Sequence, residues 1–460
     1  MIVPPHVKGK SYVVLGLGKS GMQSARSLIA GGAHVLAWDN AEPTRKAAEE
    51  AGISLMNPDG LDWTNIAALV LSPGIPQTHP VAAKAKAAGI AVIGDIELLF
   101  QSQPEARYVG ITGTNGKSTT TALIGHILKT AGLRAEIGGN LGTPALALAP
   151  LGKDGIYVLE LSSYQLDLIR RNPIEIAVML NLTPDHLARH GDMAGYIAAK
   201  ARIIRDDGPQ TFICGMDDDH SRKLAERASA KPGIRVQGIS QAAQEGCAVY
   251  AKDRRLIDNI GGKHESILGL DTLTTLVGAH NWQNIAAAYA AATALGVPRD
   301  AILAGVKTFP GLAHRQQLIA AIDGVKFIND SKATNADATG KALACYDPIY
   351  LILGGQPKEG GLAGLEIFMP RVRHAFLIGQ AADEFAAWLE GKAAYAQCGT
   401  LDVAVAEAAS MAWREKLDHA AVLLSPACAS WDQFSSFEHR GDMFARYVRA
   451  LQSPALGQSA

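Results

Sequence analysis

The chain has 460 residues, a length that suits two to four domains. Hydrophobic residues make up 48% and charged residues 19%, an ordinary globular balance with ample material for several buried cores. Lys and Arg number 43 against 44 Asp and Glu, so the near-zero net charge argues against a general nucleic-acid binder while leaving room for a local phosphate pocket.

At the N-terminus, MIVPPHVKGK lacks the apolar core of a signal peptide. No apolar run is long enough to span a membrane, so a cytoplasmic chain without membrane insertion is expected. Short β-branched runs then alternate with Ala-rich helical stretches, the pattern of parallel α/β layers. The first section opens with the strand SYVVLGLG, a helix over 21–30 and the strand HVLAWD, and continues through ALVLSPGI and a helical stretch to AVIGDIELLF. Gly16-Leu-Gly18-Lys-Ser-Gly21 fits G-x-G-x-x-G between strand and helix, and Asp39 closes the next strand. Taken alone, that fingerprint reads as an NAD or FAD site. Its physics demands only a diphosphate on a helix N-terminus and an acidic group near a sugar or base, which a UDP-sugar also satisfies. A plain βαβ turn with packing glycines would show the same spacing.

The second section opens with the strand RYVGITG and the loop GTNGKS, followed by a helix over 118–130 that puts Leu123, Ile124, Ile127 and Leu128 on one face. Gly113 and Gly116 permit a tight turn with inward N–H groups, donors that favour phosphate oxygens. Lys117 is suited to neutralising outer phosphates and Ser118 to ligating Mg²⁺. The strict G-x-x-x-x-G-K-[ST] pattern is not met, because Ile111 stands where its first glycine would be. Glu160 ends the strand IYVLE, where a carboxylate beside a phosphate loop suits nucleotide-bound Mg²⁺; alone it would read as a capping or salt-bridged group. Asn140 lies in the glycine turn GGNLGTPA. His186 follows the strand EIAVMLNL, in NLTPDH. Lys200, in YIAAKARII, has the pattern of an exposed helix lysine. The stretch 237–278 is mixed and β-rich, and GAHNWQNIAAA puts His280, Asn281 and Asn284 at a helix start, where one of them is expected to cap.

The third section follows FPGLAHR and holds the strands KFIND, IYLILGG, HAFLIG and AVLLSPA with helices between. Arg315 stands just past the junction. FINDSKATNADA reads as strand, turn and helix, and LLSPACASWDQFSSFEHRG is the most distinctive segment here. Five scattered cysteines, Cys214, Cys247, Cys345, Cys398 and Cys428, form no C-x-x-C pair and read as reduced thiols.

GTNGKST resembles the ATP loop of the Mur ligases and of the related folylpolyglutamate synthetases. The latter typically read GTNGKGS, whereas Thr119 here follows Ser118 directly, which favours the Mur side. GLGKSG, SPGI, ELSSYQL, TPDH, AHNWQN, NDSKATN and SPACASWDQF extend the resemblance, in order, over essentially the whole chain. It implies three α/β domains: a Rossmann-like UDP-substrate domain over 1–97, a central P-loop ATPase domain with a mostly parallel sheet over 98–311, and a C-terminal Rossmann-like amino-acid domain over 312–460.

The activity implied is that of the D-glutamate-adding type, a ligase of cytoplasmic peptidoglycan precursor synthesis and hence of cell-wall biogenesis, cell shape and division. ATP would phosphorylate the alanine carboxylate of UDP-N-acetylmuramoyl-L-alanine, and D-glutamate would attack the acyl phosphate. The resemblance assigns ATP to Gly113, Thr114, Asn115, Gly116, Lys117, Ser118, Thr119, Asn281, Asn284, Arg315 and Asp330, with Arg315 meeting the phosphates as the domains close. The UDP-linked substrate falls to Gly18, Lys19, Ser20, Asp39, Ser72, Pro73, Gly74 and Asn140. Two Mg²⁺ ions fall to Ser118, Glu160, His186 and Lys200, the last carbamylated by CO₂, and catalysis to Lys117, Glu160, His186 and Lys200. D-Glutamate falls to Lys332, Thr334, Lys358, Ser430 and Phe437. A monomer is expected.

Two positions depart from the pattern: Ala188 stands where relatives often carry Asp in DHLDRH, and Trp431 replaces a smaller apolar residue. The DNPR-like motif of the diaminopimelate-adding sibling is absent from the sequence. A folylpolyglutamate synthetase, a nicotinamide oxidoreductase and a non-catalytic nucleotide-binding regulator remain as rival readings.

Overall fold

Runs of buried aliphatic residues ending at glycine turns form three sheets in the computed structural model, which describes residues 1–140, 142–206, 208–358 and 360–452. The chain divides into two compact units, Met1–Asp271 with Asn281–Phe309, and Thr272–His280 with Pro310–Ala460. The first unit carries two of the sheets and the second unit carries the third.

The first sheet contains β1 (Ser11–Leu15), β2 (His34–Trp38), β3 (Ile66–Leu71) and β4 (Ala91–Ile93), all parallel in the order β2-β1-β3-β4. Because β2 and β3 lie on opposite sides of β1, the chain leaves the carboxyl ends of β1 and β3 in opposite directions. That is a switch point, where open α/β sheets leave a crevice.

The second sheet is built on β5 (Arg107–Thr112), β6 (Ala135–Gly139), β7 (Ile156–Glu160), β8 (Ile176–Met179), β9 (Gln210–Gly215) and β10 (Ile234–Ser240). It continues through β11 (Cys247–Lys252), β12 (Arg255–Asp258) and β13 (Glu265–Gly269). The order is β13-β12-β11-β10-β9-β8-β5-β7-β6, parallel except for the antiparallel β11–β12–β13 ribbon. The β-rich stretch seen in sequence is therefore an extension of this sheet. β5 lies between β7 and β8, so its loop and the ends of both neighbours meet at one edge. Every residue of β7 and β8 is buried, as expected for strands covered on both faces. One core cluster runs through both sheets, joining Val14 and Val70 of the first to Tyr108, Leu159 and Phe212 of the second.

The third sheet contains β14 (Gln317–Ile322), β15 (Val325–Asn329), β16 (Ile349–Gly354), β17 (Val372–Ile378), β18 (Tyr395–Gly399) and β19 (Ala421–Leu424), in the order β14-β15-β19-β16-β17-β18. Only β14 is antiparallel to its neighbour. The α/β class with mostly parallel sheets is as expected. The sequence pattern does not reveal β14 and β18, edge strands with no fully buried residue. The helices Lys19–Ala30 and Lys117–Thr130 begin earlier than their apolar spacing suggests, because Gly18 and Gly116 cap them.

The turn before the first of these helices is held by close backbone contact. A Cβ on Gly21 would lie 1.8 Å from the Gly16 carbonyl oxygen, which cannot move without opening the turn. Gly21→Ala is expected to destabilise the fold by about 1–3 kcal/mol, the usual range for overpacking. An unchanged denaturant midpoint in that variant would contradict this contact.

Candidate active site

The carboxyl ends of β1, β2 and β3 open onto a cavity of about 500 Å³. Gly16, Gly18, Lys19 and Ser20 enter it from the glycine turn, Asp39 from the end of β2, and Ser72, Pro73 and Gly74 from the end of β3. Asn140 and Gln165 reach it from the second sheet. Every residue that the sequence assigns to the UDP-linked substrate lines this cavity. Asp39 also fastens the turn: its Oδ2 accepts from Leu17 N at 2.7 Å and its Oδ1 from Ala41 N at 2.8 Å. Ser72 Oγ donates to Gly16 O at 2.8 Å, which ties β3 to the same turn. Arg189, not anticipated from the sequence, donates to Ile75 O at 2.7 Å and lies 4.9 Å from the Tyr164 ring centroid.

The phosphate loop leaves the end of β5. Gly113 and Gly116 have φ of +145° and +85°, which side chains rarely tolerate. A Cβ on Gly116 would stand 2.4 Å from Asn284 Oδ1, so the loop and the helix Ala279–Ala294 touch at this point. Asn284 Oδ1 also accepts from Thr120 Oγ1 at 3.1 Å, and its Nδ2 donates to Asn281 Oδ1 at 3.0 Å. Asn181, missed in sequence, closes the loop from the end of β8. Its carbonyl accepts from Thr114 N at 2.9 Å, its Oδ1 from Asn115 N at 2.8 Å, and its Nδ2 donates to Asn115 O at 3.2 Å. Lys117 Nζ donates to Gly113 O and Thr114 O at 2.9 and 2.7 Å. Ser118 is buried in the first turn of the helix, and Thr119 follows it half-buried.

Glu160 pairs in register with Ile111 across β7 and β5 and is 2% exposed. Its Oε1 accepts from Asn140 Nδ2 at 2.7 Å, and its Oε2 is buried without a hydrogen bond. Lys200 is also 2% exposed, far from the surface lysine its pattern suggests. Its Nζ donates to Gly113 O at 2.9 Å and Thr112 Oγ1 at 3.2 Å, and lies 4.9 Å from the Tyr196 ring centroid. Burial, reinforced by the charge of Lys117, pushes the Lys200 ammonium down to about 7. His186 adopts a left-handed φ of +53° ahead of the helix Leu187–His190, half-exposed, with Nε2 3.5 Å from Asp185 Oδ2. Among the described residues, no three His, Cys, Asp or Glu side chains gather as a metal site. An ion at Glu160 would need other oxygen donors, such as nucleotide phosphates and the Ser118 hydroxyl.

In the second unit, Asp330 follows β15 and is 6% exposed. Its Oδ2 accepts from Ser425 Oγ at 2.8 Å and its Oδ1 from Gln316 N at 3.1 Å. Burial pushes its carboxyl up to about 7, opposed by those hydrogen bonds and by the charge of Arg315. Lys332 Nζ stands 3.7 Å from the centroid of the Phe437 ring. Ser430 is buried, Thr334 half-buried and Lys358 exposed in the loop after β16. The residue that organises this group is Arg440, fully buried and not identified from sequence. It donates to Ser331 Oγ and O at 2.9 Å and to Cys428 O at 3.1 Å, tying the ends of β15 and β19 together.

Residues 10–94 match the Mur ligase MurD-like N-terminal domain, and residues 111–292 match the Mur ligase middle domain. The chain is 51% identical to the UDP-N-acetylmuramoylalanine–D-glutamate ligase of Paramagnetospirillum magneticum, covering 98% of this chain and 99% of that one. It is also 51% identical to the enzyme of that name from Rhodospirillum rubrum, covering 96% and 95%. Among solved structures, it resembles the UDP-N-acetylmuramate–alanine ligase MurC of Thermotoga maritima with a TM-score of 0.59 at 16% identity, over 96% of this chain and 99% of that one. MurF of Acinetobacter baumannii gives a TM-score of 0.55 at 18% identity, over 96% and 92%. These two show the fold.

The Asp330 carboxyl has a raised value in the folded chain against 3.8 ordinarily. Between about 4 and 7 the unfolded chain therefore releases a proton that the folded chain keeps, and this group's contribution to stability falls as pH rises through that window. Asp330→Asn removes the loss, so the melting temperature of the variant relative to the parent is expected to be higher at pH 8 than at pH 5. A difference between the two proteins that does not change with pH would contradict a proton held at Asp330.

Proposed function

The chain belongs to the Mur ligase family, and from that premise we propose that it joins D-glutamate to UDP-N-acetylmuramoyl-L-alanine, converting ATP to ADP and phosphate, in cytoplasmic peptidoglycan precursor synthesis. The observation that carries this reading is Asn140. It lines the cavity of the first sheet and donates to Glu160, the carboxylate beside the phosphate loop. A sugar nucleotide with its diphosphate on the turn at Gly18–Lys19–Ser20 would thus present its far end to the nucleotide loop. A dinucleotide oxidoreductase has no need of that loop, and a folylpolyglutamate synthetase has no need of a MurD-like first domain.

In the first step an oxygen of the alanine carboxylate attacks the γ-phosphorus of ATP, and ADP departs with the bond's electrons. In the second the amine of D-glutamate attacks the acyl carbon, and phosphate leaves as the amide forms. The N–H groups of loop 113–116 and of the following helix would hold the phosphates, and Lys117 would turn from the loop carbonyls toward the transferring group. Asn281 and Asn284 would meet the adenine, and Arg315 and Asp330 the rest of the nucleotide. In the second unit Lys332, Thr334, Lys358, Ser430 and Phe437 would receive D-glutamate.

Mg²⁺, when bound, would neutralise charge on the phosphates, with Ser118 and Glu160 around one ion and His186 and Lys200 around a second. The unpartnered Oε2 of Glu160 fits such a role. An ammonium at Lys200 would repel a cation; its buried position favours the free amine, whose lone pair can bond to the carbon of CO₂ with loss of a proton. The resulting carbamate would add an anionic oxygen donor.

Phosphate release from ATP with UDP-N-acetylmuramoyl-L-alanine and D-glutamate, L-glutamate, L-lysine or meso-diaminopimelate tests the reading. Release is expected with D-glutamate only. Release with another amino acid would move the chain to a sibling step, and release with none would overturn the reading. Lys200→Ala is expected to lower turnover about 100-fold, with partial recovery on adding short carboxylic acids that replace the carbamate. Full activity in that variant would remove Lys200 from the metal site.

A further inference from the structure

Asp95 is a buried carboxyl that the reaction above does not use. It opens the helix Asp95–Ser102, which follows β4 directly, and is 2% exposed. Its Oδ1 accepts from Ile96 N at 3.0 Å, while Oδ2 is buried without a hydrogen bond. A buried, unpartnered carboxylate oxygen is costly and seldom accidental. Two side chains face it, Gln165 and Ser20, and both also line the substrate cavity. They stand close enough to favour its ionised form, yet neither closes a bond onto Oδ2.

The surroundings indicate what Asp95 does. Gln165 Oε1 accepts from Ser162 N and Ser162 Oγ, both at 3.2 Å, which leaves its –NH₂ as the group to meet Asp95. Ser162 lies two residues past Glu160 and caps the helix Ser163–Leu166. Ser20 lies in the first turn of the helix that would hold the diphosphate. The rest of the Asp95 helix grips the same segment of the second sheet. Glu97 Oε2 accepts from Arg170 N at 2.7 Å and Arg171 N at 3.0 Å, and a Cβ on Gly94 would touch Leu168 at 3.0 Å.

We propose that Asp95 is a positioning residue for the sugar nucleotide, one carboxyl that sets both the Ser20 hydroxyl at the diphosphate end and the Gln165 amide at the end nearest Glu160. The placement rests on the substrate reading given above. Burial raises the Asp95 carboxyl above the usual range, and its protonated form carries an O–H that can donate to Ser20 Oγ while its other oxygen accepts from the Gln165 –NH₂, which avoids repulsion with the diphosphate. Asparagine has the same shape, no charge and an N–H in place of the O–H.

The test measures calorimetric binding of UDP-N-acetylmuramoyl-L-alanine, and KM for that substrate and for ATP, in the parent, Asp95→Asn, Asp95→Ala, Ser20→Ala and the Asp95→Ala/Ser20→Ala pair. Asp95→Ala is expected to raise KM for the sugar nucleotide about tenfold, with kcat and KM for ATP within about threefold. Asp95→Asn is expected to recover most of that loss. Ser20→Ala should add little in the double variant, since both changes break one arrangement. Equal sugar-nucleotide binding by parent and Asp95→Ala would overturn the proposal. So would a fully additive pair, or an Asp95→Asn as poor as Asp95→Ala at equal melting temperature. Should Asp95→Ala fail to fold, the KM of Asp95→Asn with and without Ser20→Ala decides by the same additivity criterion. No binding by the parent would instead overturn the substrate reading itself.

Discussion

The first unit is organised around one electrostatic problem, the placing of two lysines on a single carbonyl. Gly113 O accepts from both Lys117 Nζ and Lys200 Nζ at 2.9 Å. Two ammonium groups sharing one oxygen, one of them almost wholly out of water, repel each other strongly. Burial, with the charge of Lys117 as the smaller cause, holds the Lys200 ammonium down to about 7. The arrangement depends on the sheet. β5 between β7 and β8 places the loop, Glu160 and Asn181 at one edge, and the helix Met193–Ala201 brings Lys200 beneath them.

The same edge joins the two halves of the first unit. Asn140 belongs both to the cavity of the first sheet and to the Glu160 carboxylate of the second. Asp39 and Ser72 hold the glycine turn from β2 and β3, and Arg189 grips the following loop at Ile75. The cavity is therefore set by hydrogen bonds to backbone as well as by its lining side chains. In the second unit Arg440 has a corresponding role, with its guanidinium spread over the carbonyls of Ser331 and Cys428 and the hydroxyl of Ser331. Losing that side chain would leave buried carbonyls unpaired.

Much of this was legible in the sequence because glycines and strand ends are local signals. GLGKSG and GTNGKST announce turns whose positive φ at Gly16, Gly113 and Gly116 only glycine meets easily. Glu160 was readable because a carboxylate closing an apolar strand is conspicuous. Lys200 was not readable from its own helix, since its burial comes from Thr112, Gly113 and Tyr196, two of them far away in sequence. Asn181, Arg189, Asp95 and Arg440 were missed for the same reason: each acts through partners brought together only by packing. Ala188, the departure in TPDHLARH, lies on the exposed side of its short helix, and nothing in the structure gives it a role. Trp431 is 66% exposed beside buried Ser430.

The proposed metal site depends most on the state of Lys200, and ¹³C NMR of the folded protein equilibrated with ¹³C-bicarbonate addresses it directly. The proposed carbamate predicts a carbamate-carbon resonance in the parent that is absent from Lys200→Ala and sharpened or retained on adding Mg²⁺ and ATP. A spectrum identical for the two proteins would contradict it and leave Lys200 as a plain buried amine that shapes the loop.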